Sequence, residues 1–281
     1  MPELPEVETV VRRLQQVLPS KVIESVHVKK EKSFLGKSDA LVGSKIVAVR
    51  RKAKLITIDL DDATSLLIHL KMTGQLIYVD RTTRLGGGHP TTDWIDALPS
   101  SHTRVWFSLG KNARLFFNDQ RIFGWVKHVS KEARQAEFLK YAPDVIEDSV
   151  TAEYLFSKTQ KTRRPIKVVL LDSKIVSGLG NIYVCDALNL ACIDPKRPAQ
   201  DLSFEEVTTV LSTSKKVLDK GIALGGATIE HFRHVDGFSG GYQDEVVVYG
   251  REGLPCYTCG AKIIKEKIAG RGTYYCSVCQ K

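Results

Sequence analysis

The 281-residue sequence has no uninterrupted apolar stretch long enough to cross a bilayer, which takes about 20 such residues. Its first residues lack the basic and then apolar layout of a secretory signal. It also lacks internal repeats and low-complexity tracts. These absences argue against a membrane-spanning helix and against a repeat array. They leave an ordinary globular chain, long enough for two domains of roughly 100–150 residues each.

Acidic residues are fewer than basic residues. The sequence has 41 Lys and Arg against 32 Asp and Glu, which gives a formal net charge of +9. Such an excess suits a polyanionic partner, although many basic proteins bind no nucleic acid. Charge alone therefore indicates a class of partner and no particular function.

Cysteine is absent from the first 184 residues and then clusters at the end. Four of the six cysteines follow the pattern C-x2-C-x16-C-x2-C, a spacing typical of a structural zinc site in a ribbon too small to fold on its own core. Two disulfides are the alternative, and the absence of an export signal argues against them. We expect Cys185 and Cys192 to be packed free thiols, and one zinc ion bound by Cys256, Cys259, Cys276 and Cys279.

Hydrophobic periodicity divides the rest of the chain. Apolar residues at helical spacing predict an amphipathic helix from Val7 to Leu18. Eight short alternating or apolar runs follow, up to about residue 130, and predict an antiparallel sandwich or barrel. From Lys131 to Leu224 the periodicity is helical, and the Gly-rich segment 224–242 is longer than a simple connection needs. The chain therefore reads as an α+β protein.

The chain opens with PELPEVE, which has two interpretations. Proline in a first helical turn with acidic neighbours makes a well-formed helix start, and this is the ordinary explanation. If Met1 is removed, however, Pro2 becomes a terminal secondary amine with the Glu3 carboxyl beside it. An α-amino group has a pKa near ~8, below the ~10.4 of lysine, so Pro2 could act as a nucleophile with Glu3 as its proton donor.

Two motifs further along could bind nucleic acid or could be structural. In NDQRIFG, Arg121 and Phe123 could insert between bases from a turn, or Phe123 could lie in the core. Met72, at the end of a strand-like run, could likewise fill the core. In GLGN, Asn181 could simply N-cap the helix that follows, or the turn could form a pocket for a phosphate.

Basic residues offer further candidates. Lys54 ends the run RRKAK at the entry to a strand, where a rigid element would hold it. Arg271 lies between two glycines in the cysteine ribbon and could reach a phosphate or be solvated. The run KTRRPIK, residues 161–167, could equally be a solvated face.

These motifs, in this order, resemble the formamidopyrimidine-DNA glycosylase family of base-excision repair enzymes. The resemblance covers nearly the whole chain: PELPEVE, RRKAK, HLKMTG, NDQRIFG, GLGNIY, VYGREG and a finger containing GRGTYYC. It implies an N-terminal β-sandwich with flanking helices over residues 1–130. It also implies a helical domain over 131–244, with a helix-two-turn-helix module and a lesion-capping loop at 224–242, and a β-hairpin zinc finger over 245–281.

The resemblance implies a bifunctional glycosylase and lyase. Such an enzyme excises 8-oxoguanine and formamidopyrimidines through an iminium on its terminal proline, then cuts the strand by β,δ-elimination. Pro2 would attack C1′, Glu3 would donate a proton during ring opening, and Glu6 would support the terminus. Lys54 would assist β-elimination, and Arg271 would serve δ-elimination and phosphate binding.

The resemblance also implies how DNA is held. A trio of side chains would fill the gap left by the extruded base, namely Met72, Arg121 and Phe123. Four others would contact the DNA backbone, namely His102, Arg163, Lys167 and Asn181. The implied partner is damaged double-stranded DNA, bound by a monomer in the bacterial cytoplasm, at the nucleoid.

The sequence departs from the family pattern at Lys71, Gln120, Ile122 and the pair Cys185-Asp186, none of which is a catalytic group. Ile122 stands where a second basic residue is usual, which bears on opposite-base preference. An endonuclease VIII-like glycosylase for oxidised pyrimidines is the nearest alternative, but PELPEVE and the long 224–242 segment favour the purine branch. A non-catalytic zinc-finger DNA-binding protein would leave Pro2, Glu3 and Lys54 unexplained.

Overall fold

The computed structural model describes residues 2–89, 97–110, 112–228, 233–234 and 240–281, with the backbone alone at 233–234. These residues divide into two compact units. Unit 1 comprises Met1–Leu139 and Leu224–Gly241, and unit 2 comprises Lys140–Ala223 and Tyr242–Lys281. None of the described helices is long and apolar enough to cross a membrane.

The described α-helices are α1 (Leu4–Gln15), α2 (Lys131–Phe138), α3 (Ala152–Thr159), α4 (Ile166–Leu170), α5 (Asn181–Leu190) and α6 (Phe204–Ala223). The described strands are β1 (Ser25–Val28), β2 (Phe34–Leu35), β3 (Ile46–Lys52), β4 (Leu55–Leu60), β5 (Ser65–His69), β6 (Gly74–Val79), β7 (Arg84–Gly88), β8 (Thr103–Ser108), β9 (Arg114–Asp119), β10 (Trp125–Val129), β11 (Arg233–His234), β12 (Ile264–Ile268) and β13 (Arg271–Tyr275).

Unit 1 is built on two sheets, with strand orders β1-β8-β9-β6-β7-β11 and β2-β10-β5-β4-β3. Neighbouring strands are antiparallel except for β2 and β10, which pair in parallel. Both sheets and α1 contribute to one buried apolar cluster, which includes Leu14, Ile58, Ile68, Phe107 and Phe117. This is the expected β-sandwich, and its core lies directly beneath the N-terminal helix.

Helix α1 begins earlier and ends earlier than its apolar periodicity predicts. It begins at Leu4 because Pro5 suits the first turn and because the Glu3 and Glu6 side chains form a capping box. It ends at Gln15, ahead of the predicted Leu18, because the residue before a proline disfavours helical backbone and Pro19 follows Leu18. Leu18 is nevertheless fully buried.

Unit 2 contains α3 to α6 and the hairpin of β12 and β13. Helix α5 begins at Asn181 with Gly180 as its N-cap, and no side chain caps it. The expectation that Asn181 caps the helix is therefore wrong, since its amide is engaged elsewhere. The hairpin pairs Ile264 with Tyr275 and Ile268 with Arg271, which places Arg271 at its tip.

The units group two segments differently from the predicted domains. Residues 224–241 cluster with unit 1, because Ala227 bonds to Glu6 and β11 pairs with β7. The cysteine ribbon clusters with the helices, where Gln280 bonds to Asn189. The limits 1–130, 131–244 and 245–281 stay a prediction, and residues 229–232 and 235–239 of the predicted capping loop lie outside the described residues.

Candidate active site

The start of the chain is held in place by the Glu6 carboxylate. Glu6 Oε2 accepts a hydrogen bond of 2.7 Å from the Glu3 backbone N–H. Glu6 Oε1 accepts one of 2.8 Å from the backbone N–H of Ala227. Pro2, Glu3 and Glu6 are all buried. One carboxylate thus fixes the terminus and joins it to the first residues of the 224–242 segment.

Gly226 lets the backbone approach this carboxylate. Its φ of +84° lies in the region that side chains rarely adopt, and a Cβ there would lie 2.9 Å from Glu6 Oε1 and 3.0 Å from Glu6 Cγ. The bond between Glu6 and Ala227 therefore requires glycine at position 226.

Lys54 lies on a rigid part of unit 1. It occupies the two-residue connection between β3 and β4, whose strands pair up to Lys52 and Leu55. Its side chain is half-buried, and the residue before it, Ala53, has a φ of +52°. Lys54 therefore lies at the entry to strand β4, as expected.

The structure brings Met72, Arg121 and Phe123 together, and we call these three side chains the wedge. Arg121 Nη1 lies 3.5 Å from the Met72 sulfur, and its guanidinium carbon lies 4.7 Å from the centre of the Phe123 ring. Phe123 is 50% exposed and Met72 is 45% exposed. The interpretation of both as core residues is therefore wrong.

Asp119 shapes the turn that carries the wedge, a role that was not predicted from the sequence. Its side chain is fully buried and accepts hydrogen bonds from the Thr73 hydroxyl, from Arg121 N at 3.3 Å and from Gly124 N at 2.6 Å. An Asp at the start of a turn that bonds to backbone N–H groups further on is a known sequence signal for such turns. Asp119 also connects the wedge to His102, whose carbonyl accepts from Asp119 N at 2.9 Å.

In unit 2, the Lys167 ammonium lies at the centre of a buried cluster that we call the hairpin node. Lys167 is 1% exposed. Its Nζ donates to Asn181 Oδ1 at 2.7 Å, to Thr273 Oγ1 at 2.6 Å and to the carbonyl of Gly272 at 3.3 Å. Asn181 Nδ2 also donates to the Gly272 carbonyl, at 2.9 Å. These bonds attach the hairpin of β12 and β13 to the GLGN turn. The point of attachment on the hairpin directly follows Arg271.

A cavity of about 270 Å³ opens beside the hairpin node. Arg271, Lys167 and Arg164 line it together with Asp172, which pairs with Arg164 at 2.9 Å. Arg271 and Arg163 are both exposed. Arg163 was predicted as a DNA contact and Arg164 was not, but Arg164 is the one of these two neighbouring arginines that lines the cavity.

The four ribbon cysteines form the expected metal site. Their sulfurs all lie within 4.8 Å of one another, with 3.9 Å between Cys256 and Cys279 and 3.5 Å between Cys259 and Cys276. Tetrahedral zinc with Zn–S bonds of about 2.3 Å holds its sulfurs ~3.8 Å apart, whereas a disulfide needs about 2.05 Å. The residues therefore fit zinc.

The other two cysteines lie outside this site. Cys185 is buried, as expected, but Cys192 is exposed.

Known proteins resemble this chain along its whole length. Three family models match it: the formamidopyrimidine-DNA glycosylase N-terminal domain over residues 1–126, the H2TH domain of that enzyme over 141–233, and a zinc finger found in FPG and IleRS over 253–281. The formamidopyrimidine-DNA glycosylase of Rickettsia bellii is 36% identical over 286 residues, with both chains covered in full. The chain belongs to the formamidopyrimidine-DNA glycosylase family.

Solved structures of the family have the same fold. The Fpg protein of Thermus thermophilus is 32% identical, matches with a TM-score of 0.86 and covers 99% of this chain and 98% of its own. The Lactococcus lactis protein bound to DNA containing N7-benzyl-Fapy-dG is 31% identical, with a TM-score of 0.88 and full coverage of both chains. The predicted family, the α+β fold and the single structural zinc are confirmed.

Removing one zinc ligand should release the metal and loosen the finger of this family member, because so small a ribbon depends on its metal to fold. We expect Cys259→Ser to retain little zinc and to bind duplex DNA at least tenfold more weakly. Metal content and titration of a labelled duplex measure both. Cys192→Ser is the control, and equal losses in the two variants would contradict a zinc role.

His69, which lies three residues before the wedge residue Met72, should make the stability of the fold depend on pH. Burial, followed by the charges of Lys71 and Lys54, lowers the pKa of His69 to about 3, and its Nδ1 accepts from the Lys71 N–H at 3.0 Å. The unfolded chain takes up this proton below about pH 6.5, so the free energy of unfolding falls as the pH falls from there toward 3.

His69 should account for ~2 kcal/mol of the decrease in unfolding free energy between pH 7 and pH 5. We expect His69→Asn to lower the difference in unfolding free energy between these pH values by that amount, as measured in urea. His27→Asn, at an exposed position, should keep the wild-type difference. An unchanged difference in His69→Asn would show that His69 binds its proton as readily in the folded chain as in the unfolded chain.

Proposed function

We propose that this chain removes oxidised purines from duplex DNA through an iminium formed at Pro2 and then cuts the strand by β,δ-elimination. The chain is a DNA glycosylase of base-excision repair that acts on damaged double-stranded DNA. The observation that carries the residue-level proposal is the buried chain start, where the carboxylate of Glu6 holds Glu3 in place directly after Pro2. Met1 lies outside the described residues, and the proposal requires its removal.

The proposed reaction begins at the Pro2 nitrogen. The nitrogen attacks C1′ of the damaged nucleoside, and the bond from C1′ to the base breaks with its electron pair leaving on the base, which takes up the proton that the Pro2 nitrogen loses. Glu3 donates a proton to O4′ as the sugar ring opens, which leaves a C1′=N⁺ iminium. A secondary amine forms this cation directly, and its unprotonated fraction at neutral pH exceeds that of a lysine.

The iminium then drives strand cleavage. It withdraws electrons from C2′, so that loss of a C2′ proton expels the 3′ phosphate in β-elimination. A second elimination expels the 5′ phosphate. We assign assistance of the first step to Lys54, because it is held by two paired strands, and phosphate binding in the second to Arg271, because it is exposed at the hairpin tip.

The wedge side chains are placed where they could offset part of the free energy that base extrusion costs. The target atom is inaccessible in a duplex, and flipping the nucleotide costs a few kcal/mol of stacking. Met72 and Phe123 are exposed apolar side chains beside Arg121, and such groups can occupy the gap that an extruded base leaves. Asp119 supports this role because it fixes the backbone of the turn.

Exposed cations of unit 2 suit the phosphate backbone. We assign backbone contacts to Arg163, Arg164 and Arg271, and to Asn181, whose amide oxygen accepts a hydrogen bond from Lys167. A direct contact of Lys167 with DNA stays a prediction, since its ammonium bonds within the hairpin node. The contact of His102 also stays a prediction. The bacterial relatives favour placing the enzyme in the bacterial cytoplasm. That it acts there as a monomer at the nucleoid stays a prediction.

The first test is borohydride trapping on a duplex with one 8-oxoguanine opposite cytosine, followed by peptide mapping. We expect one covalent adduct, on Pro2. Glu3→Gln should lose excision of 8-oxoguanine by at least a hundredfold and still trap on a preformed abasic site, because that sugar is already partly ring-opened.

An adduct on a lysine would contradict the proposed nucleophile. An adduct with thymine glycol but none with 8-oxoguanine would move the chain to the pyrimidine branch. Binding without any adduct would contradict the lyase mechanism.

A second test concerns the wedge. Stacking of an aromatic side chain on a base contributes ~1–3 kcal/mol, so Phe123→Ala should slow single-turnover excision of 8-oxoguanine about tenfold or more. A 2-aminopurine beside the lesion should also show less unstacking. Leu139→Ala removes an apolar side chain that is 78% exposed in the same unit and is the control. Equal effects of the two variants would contradict the assignment.

A further inference from the structure

Arg51 has no part in the steps proposed above, although its side chain is only 8% exposed. We propose that Arg51 is a positioning residue, which fixes the turn that carries Lys54 against the helix that carries Pro2 and Glu3. The inference rests on the proposed function of Lys54 and is argued from contacts within unit 1.

The Arg51 guanidinium joins two elements. Its Nε donates to Glu8 Oε2 at 2.8 Å, and Glu8 belongs to helix α1, which begins directly after Glu3. Its Nη1 donates to the backbone carbonyl of Ala53 at 2.7 Å. One planar group therefore connects the helix of the proposed nucleophile to the residue that precedes Lys54.

The carbonyl that Arg51 binds controls where Lys54 lies. It belongs to the peptide bond between Ala53 and Lys54, and a peptide unit is planar. Fixing this oxygen therefore fixes the plane that leads into the Lys54 Cα. Ala53 has a φ of +52°, a conformation that alanine adopts only when its surroundings impose it. The bond from Arg51 is one such constraint.

A second arginine on the same carboxylate allows comparison. Arg12 Nε donates to the other Glu8 oxygen at 2.8 Å, but the Arg12 side chain is 62% exposed. Exposed ion pairs contribute little because water and salt screen them, whereas an enclosed pair is screened far less. Burial by itself would raise the pKa of Glu8, but the hydrogen bonds from Arg51 and Arg12 lower it overall. Glu8 therefore stays ionised as a partner for Arg51.

Lysine cannot reproduce both contacts. A guanidinium presents donors in a rigid planar fork, and an ammonium is a point charge on a flexible stem. Arg51→Lys should keep the charge opposite Glu8 and lose the fixed geometry at Ala53. A misplacement of a catalytic group by 1 Å can cost a hundredfold in rate, so the loss should appear in the step that Lys54 assists.

The experiment measures single-turnover β-elimination on a preformed abasic site in the full chain. We expect Arg51→Met to slow this step tenfold or more, Arg51→Lys to slow it less, and the control Arg12→Met to stay within twofold of wild type. The fraction of enzyme trapped by borohydride counts competent molecules and should not change. In a Lys54→Ala background, Arg51→Met should slow the step less than twofold further.

Four outcomes would overturn the inference. The first is an Arg51→Met variant with the wild-type rate. The others are a full additional loss from Arg51→Met in the Lys54→Ala background, an equal loss in Arg12→Met, and a Lys54→Ala variant with the wild-type rate. If Arg51→Met does not fold, the same comparisons with Arg51→Lys decide. Failure of wild-type trapping at Pro2 would instead overturn the proposed function, so the two failures are distinguishable.

Discussion

A nucleophile at the end of a chain must be held still, because chain termini fray unless other contacts fix them. In this protein the Glu6 carboxylate meets that constraint by accepting one N–H from Glu3 and one from Ala227. The apolar face of helix α1 adds to the restraint, since it is buried against the sandwich. The proposed chemistry of unit 1 depends on these bonds, because an unrestrained Pro2 would seldom lie at attack distance from C1′.

Unit 2 supports its exposed cation in a comparable way. A buried ammonium is costly unless its hydrogen bonds are satisfied, and Lys167 directs its donors at three oxygens. Zinc stabilises the ribbon from one side, and the hairpin node attaches it from the other. Thr273, which accepts from Lys167, donates in turn to the Arg271 carbonyl at 3.1 Å. The exposed guanidinium of Arg271 thus extends from a backbone that is held internally.

Features set by local spacing could be predicted from the sequence, and features set by distant pairs could not. The cysteine spacing and the opening PELPEVE are local patterns, so the zinc site and the N-terminal helix were predictable, although the helix begins at Leu4 and not at Val7. The wedge depends on contacts between Thr73 and Asp119, and Arg51 meets Glu8 across 43 positions. Sequence patterns do not report such pairs. The residue pattern left open whether Phe123 is exposed, because nothing local distinguishes a core aromatic from an exposed one, and only the family resemblance implied its exposure.

Among the described residues other than glycine, left-handed backbone occurs at three that lie beside the proposed functional side chains of unit 1. Ala53 precedes Lys54, Lys71 precedes Met72, and Ile122 lies inside the wedge turn, with φ of +52°, +50° and +57°. Each costs roughly 1–2 kcal/mol in a residue other than glycine, and a β-branched Ile122 is the least suited. Glycine would remove this strain but would leave the turns freer to move. Residues other than glycine at these positions lower the stability of the fold but restrict the motion of the turns. Restricted turns suit functional groups that must act from one position.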